Sequence, residues 1–323
     1  MPGRLSVVFA VVLSLAVLPV GCASGDRSRR GKGTLAAPGA ATLRSGSRDM
    51  HAIGAGREDY DNRYQTTVKV LSASGTCSGI LIAPRLVLTA AHCFCKITEK
   101  PLDRSRCQKE ATVVRVFYFY DQVKKKWKGD PDSTKGRVIV HDDYASQYTP
   151  GTFYIEDGKK IPDLAVVRLD RALSAGSPPR SSEDEEEELK SEEELQVDVK
   201  LGRADVSLDQ EVVVVGYGAT AARGKDVGTR RFGGNVVANL RLVKKGDNKK
   251  REIRLIFPGA KAFEGDSGGP CLIEDENGRW LVGIVGGYGE GETGGTESWF
   301  TSTFGYRDWI EAQVAEAARL ATD

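Results

Sequence analysis

The segment Gly265-Asp266-Ser267-Gly268-Gly269-Pro270 decides how the rest of this sequence is interpreted. Glycines on both sides of one serine allow a tight turn that exposes the hydroxyl group and directs nearby backbone N–H groups toward one point. Such N–H groups stabilise the oxyanion of an acyl-transfer reaction. The segment therefore points to Ser267 as a nucleophile, although a glycine- and serine-rich loop alone is a weak signal.

A serine nucleophile needs a general base, and His92 is the strongest candidate. It lies in Thr89-Ala90-Ala91-His92-Cys93, directly after an apolar run that predicts a strand. The chain has only three histidines. His51 falls in a tether-like stretch and His141 in a loop-like one, which leaves His92 as the histidine set between a buried strand and a cysteine.

An orienting carboxylate for that base is expected at Asp163. The residue opens Asp163-Leu164-Ala165-Val166-Val167, a very apolar segment that predicts a strand. An aspartate in this position, taken alone, is more often a turn or capping residue. In the company of a histidine and a serine, a carboxylate can fix the histidine tautomer and stabilise the imidazolium.

These three segments, in the order His, Asp, Ser, resemble the chymotrypsin/trypsin family of serine proteases. The resemblance covers roughly Ile53 to Ala318. It implies an all-β fold of two six-stranded antiparallel β-barrels packed across a catalytic cleft, with a C-terminal α-helix. It also implies a serine endopeptidase in which Ser267 forms an acyl-enzyme, His92 is the base and Asp163 orients it, without metal or cofactor.

The same resemblance assigns further roles. The backbone N–H groups of Gly265 and Ser267 would form the oxyanion hole. Asp266 matches the family aspartate that receives a new N-terminal ammonium group on activation, and Ile53-Gly54-Ala55-Gly56 stands where mature chains of the family begin. Cleavage between Ala52 and Ile53 is one interpretation, and an enzyme that needs no such cleavage is the other.

The six cysteines fit this interpretation. Resemblance pairs Cys77 with Cys93, next to the proposed base. Cys95 and Cys107 remain within one loop and are expected to pair with each other, while Cys271 is expected to be a buried free thiol.

The primary substrate pocket departs from the family pattern. Lys261 stands six residues before the nucleophile, where an aspartate selects Arg or Lys in trypsin-like members, and Phe263 replaces a cysteine. Tyr288, two residues after Gly286, stands where a glycine usually admits a large side chain. A non-tryptic specificity follows, and Lys261 would pair with an acidic substrate residue or with Glu264. Acidic and small apolar substrate residues both remain open.

Residues 1–22 are predicted to be a signal peptide, because Arg4 precedes the apolar run Leu5–Val20. The run ends near Cys22, as in the lipobox of bacterial lipoproteins, so lipidation of Cys22 and membrane anchoring are predicted. The alternative is cleavage after Ala23 and free secretion. Either way the protein is exported, to the bacterial cell envelope or the medium.

Residues 23–52 are predicted to be a flexible tether or propeptide, and residues 53–323 the protease domain. An acidic insertion lies near 181–198, where nine of the twelve residues from Glu183 to Glu194 are acidic. The basic stretch Lys124–Lys128 is interpreted as a solvated loop. The net charge of +1 gives no indication of nucleic-acid binding. We expect a monomer whose partner is a protein or peptide substrate.

Two other functions remain to be weighed. One is a catalytically silent protease-fold binding protein, suggested by the unusual pocket. The other is a quality-control protease with a peptide-binding module, which has too little chain after Ala318 to accommodate that module.

Overall fold

The computed structural model describes residues 53, 56–95, 106–146, 162–176, 193–244, 247–256, 259–290 and 295–322. The predicted signal peptide with Cys22, the tether 23–52 and most of the acidic insertion lie outside these residues. The last acidic residues are described: Glu194 forms an antiparallel bridge with Ser174.

The first of two β-sheets is a closed barrel. The strand β1 (Arg57–Glu58) comes before the barrel in the chain and belongs to the second sheet. The six strands of the barrel are β2 (Thr67–Ser72), β3 (Gly75–Ala83), β4 (Leu86–Thr89), β5 (Glu110–Asp121), β6 (Lys126–Val140) and β7 (Ala165–Leu169). They pair antiparallel in the order β2-β3-β4-β7-β6-β5.

The second sheet has nine strands. Besides β1 it contains β8 (Val199–Leu201), β9 (Glu211–Gly216), β10 (Arg231–Val236), β11 (Asn239–Lys244), β12 (Asp247–Ile256), β13 (Pro270–Asp275), β14 (Gly278–Glu290) and β15 (Thr296–Ser302). Their order is β1-β10-β9-β13-β14-β15-β12-β11, and β8 pairs parallel with β14. The second sheet was predicted to be a six-stranded barrel, and it has nine strands instead, because short segments such as β1 and β8 pair with its longer strands.

Two helices complete the described chain. The short α1 (Asp142–Ser146) follows β6, and α2 (Arg307–Thr322) is the predicted C-terminal helix. Within the described ranges, no helix has the length and apolar composition that crossing a membrane requires.

The cores explain why these segments form strands. Alternating or continuous apolar residues such as Val212, Val214 and Val215 are β-branched and fully or nearly fully buried. One core cluster joins the barrel to Leu272 of β13 and to Ile310 of α2, so both sheets and the helix share buried apolar surface.

The all-β fold class is confirmed. One local interpretation was wrong: Lys126, Trp127 and Lys128 do not lie in a loop but begin β6, where each pairs with a residue of β5. Only residues 122–125 form the turn. Lysine is a poor strand former, and the pairing is imposed by the partner strand rather than by local preference.

Candidate active site

His92 and Asp163 are joined by two hydrogen bonds. His92 lies in a single 3-10 turn, Ala91–Cys93, directly after β4. Asp163 lies just before β7, and β4 pairs antiparallel with β7 so that Thr89 faces Ala165. The two strand ends therefore meet. The His92 backbone N–H donates to Oδ1 of Asp163 at 2.9 Å, and Nδ1 of the ring lies 2.6 Å from Oδ2.

This contact fixes the chemical state of the imidazole. Burial lowers the pKa of His92, but the charge of Asp163 and its hydrogen bond outweigh burial and leave the pKa above its usual value. With Nδ1–H donating to the carboxylate, Nε2 of the neutral ring is left as the proton acceptor.

The loop that carries Ser267 is held against the first barrel by Ser78 of β3. The Ser78 backbone N–H donates to the carbonyl of Ser267 at 2.8 Å. Its hydroxyl donates to the carbonyl of Gly265, also at 2.8 Å, and accepts from the N–H of Tyr217 at 2.9 Å. Sequence analysis did not single out Ser78, because its role depends on residues almost two hundred positions away.

Two glycines make this close approach feasible. Gly265 has φ of +92°, and a Cβ there would stand 2.9 Å from the Cα of Gly218. Gly268 has φ of +83°, and its Cβ would stand 2.1 Å from Oγ1 of Thr89. Both positions combine a left-handed backbone with no room for a side chain, so only glycine fits them.

Some backbone N–H groups near Ser267 donate to protein acceptors, and others are open, which means that no protein acceptor takes them. Asp266 donates to Phe263, Gly268 to Val285 and Gly269 to Asp266. Within the described ranges, no protein acceptor takes the N–H of Gly265 or that of Ser267. An oxyanion requires open backbone N–H donors near the serine hydroxyl, and these two belong to Ser267 itself and to the residue two positions before it.

The nucleophile loop and the histidine lie next to each other. A disulfide joins Cys77 to Cys93, and Sγ of Cys93 lies 3.9 Å from the carbonyl oxygen of Ser267. A second disulfide joins Cys95 to Cys107, so both predicted pairs are present. Cys271 is a buried free cysteine whose pKa is raised by burial.

The residues next to His92 are unsuited to binding a metal ion. Among the described residues, one group has potential metal ligands close enough together, and it consists of Cys77, His92 and Cys93. Both sulfurs are used in the disulfide, whereas a metal is bound by thiolates.

The Asp266 carboxylate is fully buried in the protein. Its Oδ1 accepts from the N–H of Gly218 at 2.7 Å and its Oδ2 from the N–H of Phe263 at 2.9 Å. Burial of the carboxyl raises the pKa of Asp266 to about 7, against the opposing effect of these hydrogen bonds. Ile53 is fully buried in the core of the second sheet.

Tyr288, one of the predicted pocket residues, contacts Glu264 and Phe263. Its hydroxyl donates to Oε1 of Glu264, and its ring stands edge-on to that of Phe263 with centroids 5.1 Å apart. Oε2 of Glu264 accepts from the N–H of Arg223 at 2.9 Å. Both oxygens of Glu264 are thus engaged by groups other than Lys261.

Lys261 and Gly286 complete the set of predicted pocket residues. Lys261 is partly buried, and burial lowers the pKa of its ammonium group. Gly286 is buried, and the indole of Trp299 lies against it and against Gly287. A cavity of about 560 Å³ is lined by Tyr288 together with Arg223 and Thr296.

A buried ion pair behind the site was also missed by sequence analysis. Arg230 Nε lies 2.6 Å from Oδ2 of Asp59, and both side chains are fully buried. The same guanidinium donates to the carbonyl of Val116 at 2.9 Å and to the hydroxyl of Tyr217 at 3.1 Å. It therefore ties β5 of the barrel to the second sheet and to the segment before Tyr60.

Comparison with known proteins gives one family and several distant relatives. A family model described as Trypsin matches residues 53–310. The suppressor of tumorigenicity 14 protein homolog of Bos taurus is 25% identical over 284 residues, which is 84% of this chain and 29% of that protein. Phenoloxidase-activating factor 1 of Holotrichia diomphalia is 28% identical over 257 residues, 74% of this chain and 61% of that protein.

The chain thus spans less than two thirds of the length of these curated relatives. Among solved structures, a mutant of human heparin binding protein has a TM-score of 0.50 at 18% identity and covers 80% of this chain and 94% of that chain. This likeness concerns the fold alone.

Proposed function

The chain belongs to the trypsin family, and on that premise we propose that it is a serine endopeptidase with Ser267 as nucleophile, His92 as general base and Asp163 as the orienting carboxylate. The observation that carries the proposal is the pair of hydrogen bonds between His92 and Asp163, close to a loop in which the N–H groups of Gly265 and Ser267 are open.

The proposed reaction has two stages. Ser267 Oγ attacks the peptide carbonyl while His92 Nε2 takes its proton, and the N–H groups of Gly265 and Ser267 stabilise the oxyanion. His92 then protonates the leaving amine. Water hydrolyses the acyl-enzyme with His92 again as base, and Asp163 stabilises the imidazolium in both stages. Apart from this water, the proposed steps use only groups of the protein and its substrate.

We further propose that cleavage is non-tryptic and follows small, uncharged residues. The contacts of Tyr288 with Glu264 and Phe263 support this proposal, because they hold its ring in one place and a fixed ring at this position would limit the length of the substrate side chain. Lys261 repels the positive charge of an Arg or Lys side chain. The positive charge of Lys261 would attract an acidic substrate residue.

Activation is proposed to follow cleavage between Ala52 and Ile53. The freed ammonium group would provide the cationic partner for Asp266, whose buried carboxyl is bonded by two neutral N–H groups. The alternative function is a catalytically silent binding protein. The feature that suggests it is the unusual composition of the predicted pocket, with Lys261, Phe263 and Tyr288 in place of the family residues.

Export is proposed from residues 1–22, with Cys22 lipidated at a bacterial cell envelope or, alternatively, with free secretion. The two curated relatives come from a mammal and a beetle, so the bacterial lipoprotein form depends on residues 5–22 alone. We also propose that the protein is a monomer.

A fluorophosphonate probe tests the enzyme proposal. We expect the probe to label the wild-type chain on Ser267, and labelling to disappear in Ser267→Ala and His92→Ala. Ser207→Ala, at an exposed serine far along the chain from the site, is the matched control and should label like wild type. Absence of labelling in a folded, cleaved chain would support the silent binding protein instead.

A further inference from the structure

The hairpin formed by β5 and β6 ends in an exposed turn that combines apolar, basic and aromatic side chains. Val123 stands at the turn with 91% of its surface exposed. Residues 121–128 contain four lysines and one aspartate, a local net charge of +3. We call residues 120–128 the hairpin tip. The catalytic machinery uses none of these residues.

The turn is held in a defined conformation. Oδ1 of Asp121 accepts from the N–H of Val123 at 2.9 Å and from the N–H of Lys124 at 2.8 Å. Oδ2 of the same carboxylate pairs with Lys128 at 2.5 Å. The single acidic group of the tip is therefore engaged, which leaves Lys124, Lys125 and Lys126 as a local excess of positive charge at the protein surface.

Aromatic rings lie directly behind the turn. Trp127 faces Tyr120 across the two strands with ring centroids 5.6 Å apart, and 42% of each residue is exposed. Tyr60 stacks on the other side of Trp127, 4.8 Å away and almost parallel. Tyr60 in turn stands edge-on to the buried Tyr118. The exposed indole is thus anchored to the protein core through a chain of rings.

From this arrangement we propose that the hairpin tip docks on an anionic lipid surface. Lysines draw the tip to acidic headgroups, Trp and Tyr occupy the level of the headgroups, and an apolar residue at the apex enters the boundary with the acyl chains. An acidic polysaccharide would use the lysines but has no apolar phase that could bury Val123, whereas the acyl-chain boundary of a membrane would remove its side chain from water. The exposed valine therefore favours the membrane over a soluble polyanion.

Vesicle binding by the full chain tests this proposal. The apolar run Leu5–Val20 is expected to contribute equally to all vesicles, so the measured quantity is the ratio of partition coefficients between vesicles with and without 30% phosphatidylserine in phosphatidylcholine. We expect a ratio of at least about ten at 0.1 M salt, falling toward one at 0.5 M salt as the charges are screened.

Variants separate the lysines from the apolar tip. The variant Lys124→Glu/Lys125→Glu/Lys126→Glu should lose the phosphatidylserine dependence, and Val123→Asp should reduce it several-fold. Matched controls make the same chemical changes at other exposed sites: Arg85→Glu/Lys135→Glu/Arg137→Glu, and Leu208→Asp, which is 57% exposed. Both controls should differ from wild type by less than about twofold.

Fluorescence gives a second readout that does not depend on charge reversal. Brominated phosphatidylserine vesicles should quench the wild-type chain more than the Trp127→Phe variant, which keeps an aromatic ring in the stack. Equal quenching of the two chains, retained binding in the triple lysine variant, or wild-type binding by Val123→Asp would each overturn the proposal. The last result would assign the lysines to a soluble anionic partner.

Discussion

The Ser78 hydroxyl donates to the carbonyl of Gly265 at 2.8 Å, so a residue of the barrel holds the backbone of the loop on which the proposed nucleophile lies. The same residue binds the carbonyl of Ser267 through its N–H. Ser78 touches no reacting atom in the proposed mechanism. It is a positioning residue that orients the N–H groups of Gly265 and Ser267.

Removal of this hydroxyl should slow catalysis without weakening substrate binding. We expect Ser78→Ala to lower kcat on the order of tenfold, because misplaced oxyanion donors weaken transition-state stabilisation. KM should stay within about twofold. Steady-state kinetics on a peptide ester measures both constants. The exposed Ser74→Ala is the control, and a loss confined to KM would show that Ser78 acts on the pocket instead.

The carboxylate of Asp163 should control both the rate and its pH dependence. Because Asp163 holds the pKa of His92 above its usual value, the acid limb of kcat/KM should lie above the pKa of about 6.5 of a free histidine. Asp163→Asn should move that limb to lower pH and reduce kcat by about 10⁴-fold, as expected when the histidine tautomer is no longer fixed. An unchanged pH profile in the variant would contradict the assigned role.

The buried carboxyl of Asp266 should make the stability of the uncleaved chain depend on pH. Its pKa of about 7 in the folded protein lies above the ordinary value of 3.8. The folded state therefore favours the protonated form. Its contribution to stability is fully present below about pH 4 and is lost as the pH rises through 7.

Urea unfolding at several pH values, compared between wild type and Asp266→Asn, measures this effect. Between pH 4 and pH 7 the free energy of unfolding of wild type should fall relative to that of the variant. Above pH 7 the two free energies should change with pH in the same way. In a chain cleaved before Ile53, the difference should shrink, because an ammonium partner lowers the pKa of the carboxyl. Parallel curves at all pH values in the uncleaved chain would argue against a raised pKa.

The side chain of Tyr288 should limit the size of the substrate residue that enters the pocket. Tyr288→Gly removes the ring that packs on Phe263 and is expected to raise kcat/KM for substrates with a large apolar residue at least tenfold relative to alanine substrates. Tyr288→Phe keeps the ring and loses only the bond to Glu264, so it should retain the preference for small residues. Peptide-library cleavage read by mass spectrometry compares all three chains. Strong cleavage after Arg or Lys by wild type would refute the proposed role of Lys261.

The pair between Asp59 and Arg230 should be a major determinant of stability. Asp59→Ala leaves a fully buried guanidinium without its anionic partner and is expected to cost about 3–5 kcal/mol. Glu311→Ala breaks the exposed pair with Arg307 on α2 and should cost less than about 1 kcal/mol. Denaturant unfolding measures both. Similar small losses in the two variants would show that Arg230 is satisfied by its neutral acceptors.

Sequence patterns predicted the parts of this protein that depend on local chemistry. Short apolar runs such as Leu86–Thr89 and Ala165–Leu169 became strands, and Glu274–Gly278 became the turn region of the hairpin between β13 and β14. Segments with mixed polarity were missed. β10 contains two glycines and an asparagine, which are residues with low strand propensity, and it is held as a strand by its pairing with β9.

In the candidate site, too, residues with a local sequence motif were predicted and residues that act through distant contacts were missed. Residues with distinctive local motifs, His92, Asp163 and Ser267, were found from sequence, whereas Ser78 and Arg230 were not. Their partners lie 187 and 171 residues away along the chain, at Gly265 and Asp59. No local pattern records such a contact. The orientation of Tyr288 onto Glu264 likewise depends on how β14 lies against the nucleophile loop.

The bracing of the Ser267 loop also sets the order in which the protein becomes able to act during its own synthesis. The loop needs Ser78, which is made early, and it needs β14, which is made after it, because Gly268 donates to Val285 and Val285 donates to Gly269. A nascent chain that has just reached Ser267 therefore lacks the strand that holds this loop. If Ser267 is the nucleophile, as proposed, the site can form only after β14 has emerged from the ribosome.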